Sequence, residues 1–183
     1  MNNVIYFWGG TYSNWYPCKF IANLRPFTEP VEWNCAEQFM MASKAWYFAD
    51  LDSLDAIMRS RDPRIQKSLG RKVKGFNAEE WKEVARDLVY PGVYAKFAQN
   101  YELGDELKAS VGYVIAEASP YDKIWGIGMG NEEAKKCKSP LEWDGTNWLG
   151  QVLMKVRDDL DEKIHLFDKV DWTKYENDHL EYS

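Results

Sequence analysis

From Asn34 to Leu160 the apolar residues recur mostly at the three-and-four spacing of helices, and one stretch, Tyr113–Ala118, stands out as a buried strand. That imbalance leaves no regular strand–helix alternation and so argues against a doubly wound parallel sheet. Val4–Trp8 reads as a strand, and Phe20–Ala22 and Val31–Trp33 as short strands around the breaks at Pro26 and Pro30. Asn34 with Glu37 has capping-box spacing and opens a helix to about Phe48. Asp52 to Ser60 forms a short helix, Asp62-Pro63 starts another that Gly70 closes, and Asn77 starts the next. Pro91-Gly92 is expected to break or kink that helix before Val93–Gln99 resumes it. Asp105–Ser110 is helical, and Asn147 caps a last strong helix, Trp148–Leu160. With 183 residues the chain suits one core. The expected fold is α+β, a mostly helical single domain with a small β-sheet over residues 1–160, followed by a partly ordered acidic tail, 161–183.

The residue inventory narrows the chemistry. The two histidines, His165 and His179, both fall in the tail, so acid–base work in the body of the chain must run on Glu, Asp, Lys, Tyr or Cys. Cys18, Cys35 and Cys137 are odd in number and lack the spacing of metal ligands or redox pairs, so buried thiols are expected, with no disulfide framework, metal site or cofactor. No signal-peptide layout or membrane-length apolar run appears, which points to the cytoplasm and to no membrane partner. No obligate protein partner is evident. Nine tryptophans are partly core and partly suited to stacking on flat rings. The net charge of −6 lies wholly in residues 158–183, and the body is neutral. Within that body Arg59, Arg61, Arg64, Lys67, Arg71, Lys72 and Lys74 face only Asp62, which reads either as a solvated helix face or as a contact surface for phosphates.

Three constellations can carry chemistry. Glu37 and Lys44 stand seven apart, two turns along one helix face, roughly 10 Å. They either point at one ligand or serve as a cap and a solvated side chain. After the strand ending near Glu117, Pro120 forces a loop that sets Asp122 at a sheet edge, and Trp125 beside Gly126 offers either a ring face with close backbone approach or a core indole. The run Gly126-Ile127-Gly128-Met129-Gly130 lacks dinucleotide-fingerprint spacing. Asn147 and Trp148 open the last helix, whose first amides either hold an anion or are simply capped.

In order along the chain stand Phe7, Tyr12-Ser13-Asn14-Trp15-Tyr16-Pro17 and Phe20; Glu37-Gln38-Phe39 and Lys44-Ala45; Leu69-Gly70-Arg71; Trp81 and Arg86; Lys96-Phe97 and Asn100; Glu117-Ala118-Ser119-Pro120-Tyr121-Asp122, then Trp125-Gly126-Ile127-Gly128; and Asn147-Trp148-Leu149-Gly150, then Leu153-Met154 and Val156-Arg157. This set resembles the NADAR family of YbiA-like N-glycosidases from about Tyr6 to Leu160. The resemblance implies a YbiA-like fold and hydrolysis of the bond between a ribose carrying a 5′-phosphate group and a nitrogen base. Family members act on early riboflavin-pathway intermediates, and others remove ADP-ribose from guanine in DNA or RNA. The basic segment and the tryptophans lean toward the second. The Asn34-Cys35-Ala36 entry and the bulky Trp46-Tyr47 depart from the family pattern and bear on substrate shape.

On this reading Glu37 and Asp122 divide the roles of base or cation stabiliser and of acid or orienter. Lys44 either holds charge or attacks the opened sugar as a Schiff base. Asn14, Arg71, Trp125, Gly126, Asn147 and Trp148 contact substrate. A nucleotide-binding module without turnover, and a single-strand nucleic-acid binder, are the competing readings.

Overall fold

The computed structural model describes residues 3–24, 29–162 and 169–180. Pro26 and His165 lie outside the described residues. The contacts divide into two units, one of residues 14–101 and one of residues 1–13 with 102–183.

In the first unit, strands β2 (Phe20–Ala22) and β3 (Val31–Trp33) pair antiparallel, with Phe20 opposite Trp33. Phe20 and Trp33 are buried while Ile21 and Glu32, one residue on, face out, as period-two geometry requires. Helix α1 (Ala36–Tyr47) packs against α2 (Leu51–Arg59), α3 (Pro63–Gly70) and α4 (Ala78–Gln99). The expected capping box does not form at α1. Its N-cap is Cys35, which makes no side-chain cap bond, and the Asn34 amide donates to Gln38 Oε1 at 3.0 Å. Gln38 prevails because its amide nitrogen also donates to the carbonyls of Ile57 (3.3 Å) and Ser60 (3.2 Å), tying α1 to the end of α2.

The other helix starts follow local chemistry. Asp50 Oδ1 accepts from the Ser53 amide, Asp62 from Arg64 at 2.8 Å with Pro63 in the first turn, and Asn77 from Glu79 and Glu80. Such caps contribute about 1 kcal/mol each. Pro91-Gly92 does not break α4, which runs unbroken for 22 residues. A Cβ on Gly92 would stand 2.2 Å from the Phe39 ring, so the pair marks where α1 and α4 pack face to face. Burial there offsets the roughly 3 kcal/mol cost of an interior proline.

In the second unit, β1 (Val4–Phe7) pairs parallel with β4 (Val114–Glu117), in register Val4 with Val114 through Phe7 with Glu117. The small sheet of the sequence reading is thus two separate two-stranded pairs. Helix α5 (Tyr101–Lys108) bridges the unit boundary, and the short α6 (Asn131–Ala134) follows the glycine run. Helix α7 (Trp148–Asp159) lies on β4 so closely that a Cβ on Gly150 would sit 2.0 Å from the Ile115 carbonyl oxygen. Arg157 holds its far end by donating to the carbonyls of Ser110 and Tyr113, both at 2.8 Å. The tail contributes to this unit: Trp172 and Tyr175 are buried, and Tyr175 Oη and Lys174 Nζ both reach Asp158 at 2.9 Å. No helix among the described residues is long and apolar enough to cross a membrane.

Candidate active site

The candidate residues distribute over both units. In the first, α1 carries Glu37 and Lys44. Glu37 lies in the first turn, where the helix dipole favours a carboxylate, and only 3% of it is exposed. Its amide donates to the Asn14 carbonyl at 2.8 Å, and Asn14 Nδ2 faces Met40 Sδ at 3.7 Å, so the segment before β2 braces the start of α1. Asn14 is therefore near Glu37 through its backbone. Two turns on, Lys44 Nζ stands 3.7 Å from the centre of the Phe76 ring. Burial pushes the Lys44 amine below its usual value, and the Arg71 guanidinium pushes it in the same direction. The structure thus brings Lys44 and Arg71 together, with Phe76 as a partner that no sequence signal named.

In the second unit the candidates form a tightly bonded knot. Asp122 Oδ1 accepts from the amides of Ile124 (3.0 Å) and Trp125 (2.8 Å), which closes the loop after β4. Trp125 is buried rather than offering a ring face, set edge-on to Trp148 at 5.8 Å. A Cβ on Gly126 would meet the carbonyl oxygens of Asp122 at 2.8 Å and Glu117 at 3.0 Å, so that glycine serves chain packing. The free amides expected at the start of α7 are engaged: Asn147, Trp148 and Leu149 donate to the carbonyls of Gly126, Ile124 and Trp125 at 3.0–3.1 Å. They are closed to a phosphate.

Asn147 is no N-cap in the usual sense. Its backbone is left-handed (φ 56°), and its fully buried side chain pairs with the free edge of β4. Oδ1 accepts from the Glu117 amide at 3.1 Å and Nδ2 donates to the Ile115 carbonyl at 2.9 Å, in the manner of a strand neighbour. Trp148 lines a cleft of about 280 Å³ with Trp143 and Gln151, and Glu176 and Asp178 of the tail make its lining acidic, which disfavours a phosphate.

Several residues were missed by sequence reasoning. Trp8 and Tyr121 are exposed and meet at 5.9 Å, just past the C-terminal ends of the paired strands β1 and β4, where ligands of open parallel sheets gather. The Gly9-Gly10 turn after β1 was the available signal. Lys96 is 1% exposed, with Nζ 4.9 Å from the Phe97 ring centre, and its signal was a lysine inside an apolar helical run. The Cys35 thiol, buried and 3.2 Å from Gln66 Oε1, is pushed up to about 11 chiefly by burial. It is a poor nucleophile at neutral pH. Among the described residues no group of three His, Cys, Asp or Glu side chains could hold a metal ion.

The NADAR domain matches residues 6–161, which takes in every candidate named above. The chain belongs to the NADAR family. It is 40% identical over 148 residues to N-glycosidase R617 of Acanthamoeba polyphaga mimivirus, covering 81% of this chain and 86% of that one. Protein irg-1 of Caenorhabditis elegans is 35% identical over 159 residues, covering 81% and 74%. A chloroplastic riboflavin biosynthesis protein PYRR of Arabidopsis thaliana is 29% identical over 110 residues, 58% of this chain but 16% of that longer protein. The NMR structure of the E. coli protein YbiA shares the fold, with a TM-score of 0.65 at 23% identity over 90% of this chain and 91% of that one.

Proposed function

We propose that this chain, an N-glycosidase of the NADAR family, hydrolyses the bond between a phosphorylated ribose and a nitrogen base, and that its substrate is guanine in nucleic acid carrying ADP-ribose. The observation that carries the reading is the face of α1: a buried carboxylate, Glu37, two turns from an amine whose charge is disfavoured by burial and by Arg71.

Leaving of the base develops positive charge at the anomeric carbon. The Glu37 carboxylate stabilises that charge or takes a proton from the attacking water. Lys44 has the character of a nucleophile, because a lysine that sheds its proton more readily is more often the free amine. Its nitrogen adds to the C1 aldehyde of the opened sugar, loses water to form the imine, and is released when water adds back. Arg71 supplies a fixed positive charge for a phosphate beside that amine. Asp122 is placed to order the loop around Trp125, so its role is positioning, as is that of Asn147. Trp125 is buried and presents no ring face on which a base could stack.

The relatives named riboflavin biosynthesis proteins favour a second reading, ribosylaminopyrimidine 5′-phosphates as substrate. Guanine-ADP-ribosylated single-stranded DNA, incubated with wild type and Glu37→Gln and followed for free ADP-ribose by mass spectrometry, separates the two. Release by wild type and its loss in Glu37→Gln is the expected result. No release from DNA, with turnover of the pyrimidine phosphates, would replace the first reading by the second.

A further inference from the structure

The loop between α3 and α4 sets one ring against one amine. Val73 is buried, the Lys74 amide donates to Asp50 Oδ2 at 2.8 Å, and Lys74 Nζ reaches Asp52 at 3.0 Å, so the loop is anchored to the start of α2. Gly75 then takes a left-handed backbone (φ 71°), which side chains rarely adopt, and the turn brings Phe76 against α1. The Phe76 ring stands edge-on to Phe48 at 5.4 Å, and Phe48 is edge-on to Tyr47 at 5.0 Å, both at the C-terminal end of α1. Phe76 is nonetheless 44% exposed, so filling the core is not what places it. What its ring covers is the Lys44 amine, with Nζ 3.7 Å from the ring centre.

A ring face attracts an ammonium through its quadrupole and has no such hold on a neutral amine. The contact therefore distinguishes the two states of Lys44. It favours the charged one, whereas burial and the Arg71 charge just after α3 both favour the neutral one. Of the other elements packed on α1, α2 begins with Asp50 and Asp52, which bind Lys74 through its amide and its Nζ. Strand β3 brings Glu32, paired with Lys19, and α4 begins with the exposed Glu79 and Glu80. Glu37 lies two turns back on α1 itself. We propose that Phe76 is the positioning residue of Lys44: its face seats the ammonium between turnovers and lets the nitrogen go when the proton passes to water, which leaves the lone pair to add to the C1 aldehyde carbon of the sugar. Phe76 acts through Lys44 rather than on the sugar. The seat rests on the imine reading given above.

The test reads the amine itself. Wild type, Phe76→Leu and Phe76→Tyr are labelled with trace acetic anhydride across a pH series. Acetylation of Lys44 is followed by mass spectrometry of its peptide, with Lys123 of the other unit as internal reference. Leucine keeps an apolar cover and loses the ring face, whereas tyrosine keeps the face. The midpoint of Lys44 labelling should fall by about 0.5 pH unit in Phe76→Leu, the size of a part-exposed cation–π contact, and stay within about 0.2 unit of wild type in Phe76→Tyr. A midpoint unchanged or raised in Phe76→Leu, or one that falls equally in both variants, overturns the seat. Phe76→Met takes the place of the leucine variant should that one fail to fold. Labelling needs no substrate, so the two readings fail separately. The expected shifts, with no borohydride-trapped sugar adduct on Lys44 from either substrate, keep the seat of the ammonium and lose the nucleophile. An adduct in wild type with no shift in Phe76→Leu keeps the reaction and loses the seat.

Discussion

Replacing Asn147 by alanine separates a structural asparagine from a ligand contact. Two hydrogen bonds disappear, one to the part-exposed Glu117 amide and one to the fully buried Ile115 carbonyl. Leaving a buried polar group unpaired costs about 1–3 kcal/mol, with the lower figure for the wetter of the two, so the pair comes to about 3 kcal/mol. Alanine must also hold a left-handed backbone, which adds about 1 kcal/mol. The expected loss for Asn147→Ala is therefore about 4 kcal/mol, a large part of the roughly 5–15 kcal/mol of a typical fold. Asn147→Gly loses the bonds but not the backbone freedom and should be milder by about 1 kcal/mol. Urea unfolding reads this directly: with a slope of about 2 kcal/mol per molar, the midpoint falls by about 2 M for alanine and about 1.5 M for glycine. A midpoint within 0.3 M of wild type, with activity abolished, would refute the reasoning and return Asn147 to the substrate.

Four further outcomes follow from the geometry. Borohydride should trap a sugar adduct on Lys44; because burial and Arg71 both lower that amine, trapping should level off below the usual lysine pKa, and Arg71→Gln should move the plateau to higher pH. The same shift carries a stability sign: the charged amine costs the fold free energy below its lowered pKa, and that cost is released as pH rises toward the unfolded value, so the gain in stability from Lys44→Met should be largest near neutrality and shrink in alkali. Of the three thiols, Cys35 should resist a disulfide reagent at pH 8 until the protein unfolds, while the half-buried Cys18 and Cys137 react first; equal rates for all three would contradict its burial. Gly150→Ala should destabilise by more than Gly92→Ala in thermal melts, since its Cβ meets a backbone oxygen that cannot turn aside, whereas the Gly92 Cβ meets the Phe39 ring.

The elements most legible in the sequence are those fixed by chemistry within four residues. Asp62 and Asn77 cap the helices they precede because the bonds involved are local. Asn34 failed as a signal because adjacent Glu37 and Gln38 can both serve the box, and only the α2 carbonyls decide in favour of Gln38. Pro91-Gly92 reads as a break until Phe39, more than fifty residues earlier, is set against it. The site divides the same way. Glu37 and Lys44 share a face by helix arithmetic alone. The burial of Trp125, the engagement of the α7 amides and the exposure of Trp8 and Tyr121 depend on partners distant in sequence. The charge run at residues 59–74 announced itself by composition, but only the structure shows Arg59 paired with Asp55 and Lys74 with Asp52.

The order of segments along the chain has a consequence for synthesis. The unit of residues 14–101 is continuous, so its contacts are complete once Gln99 and its neighbours have left the ribosome. The other unit is split around it, and strand β1 must wait for β4 and then for α7, which ends at Asp159. At about 5–20 residues per second, the 58 residues between 101 and 159 give the inner unit a head start of about 3–12 seconds, long compared with the folding time of a small helical unit. During that interval β1 emerges first and stays unpaired, a four-residue apolar edge awaiting a partner more than a hundred residues away.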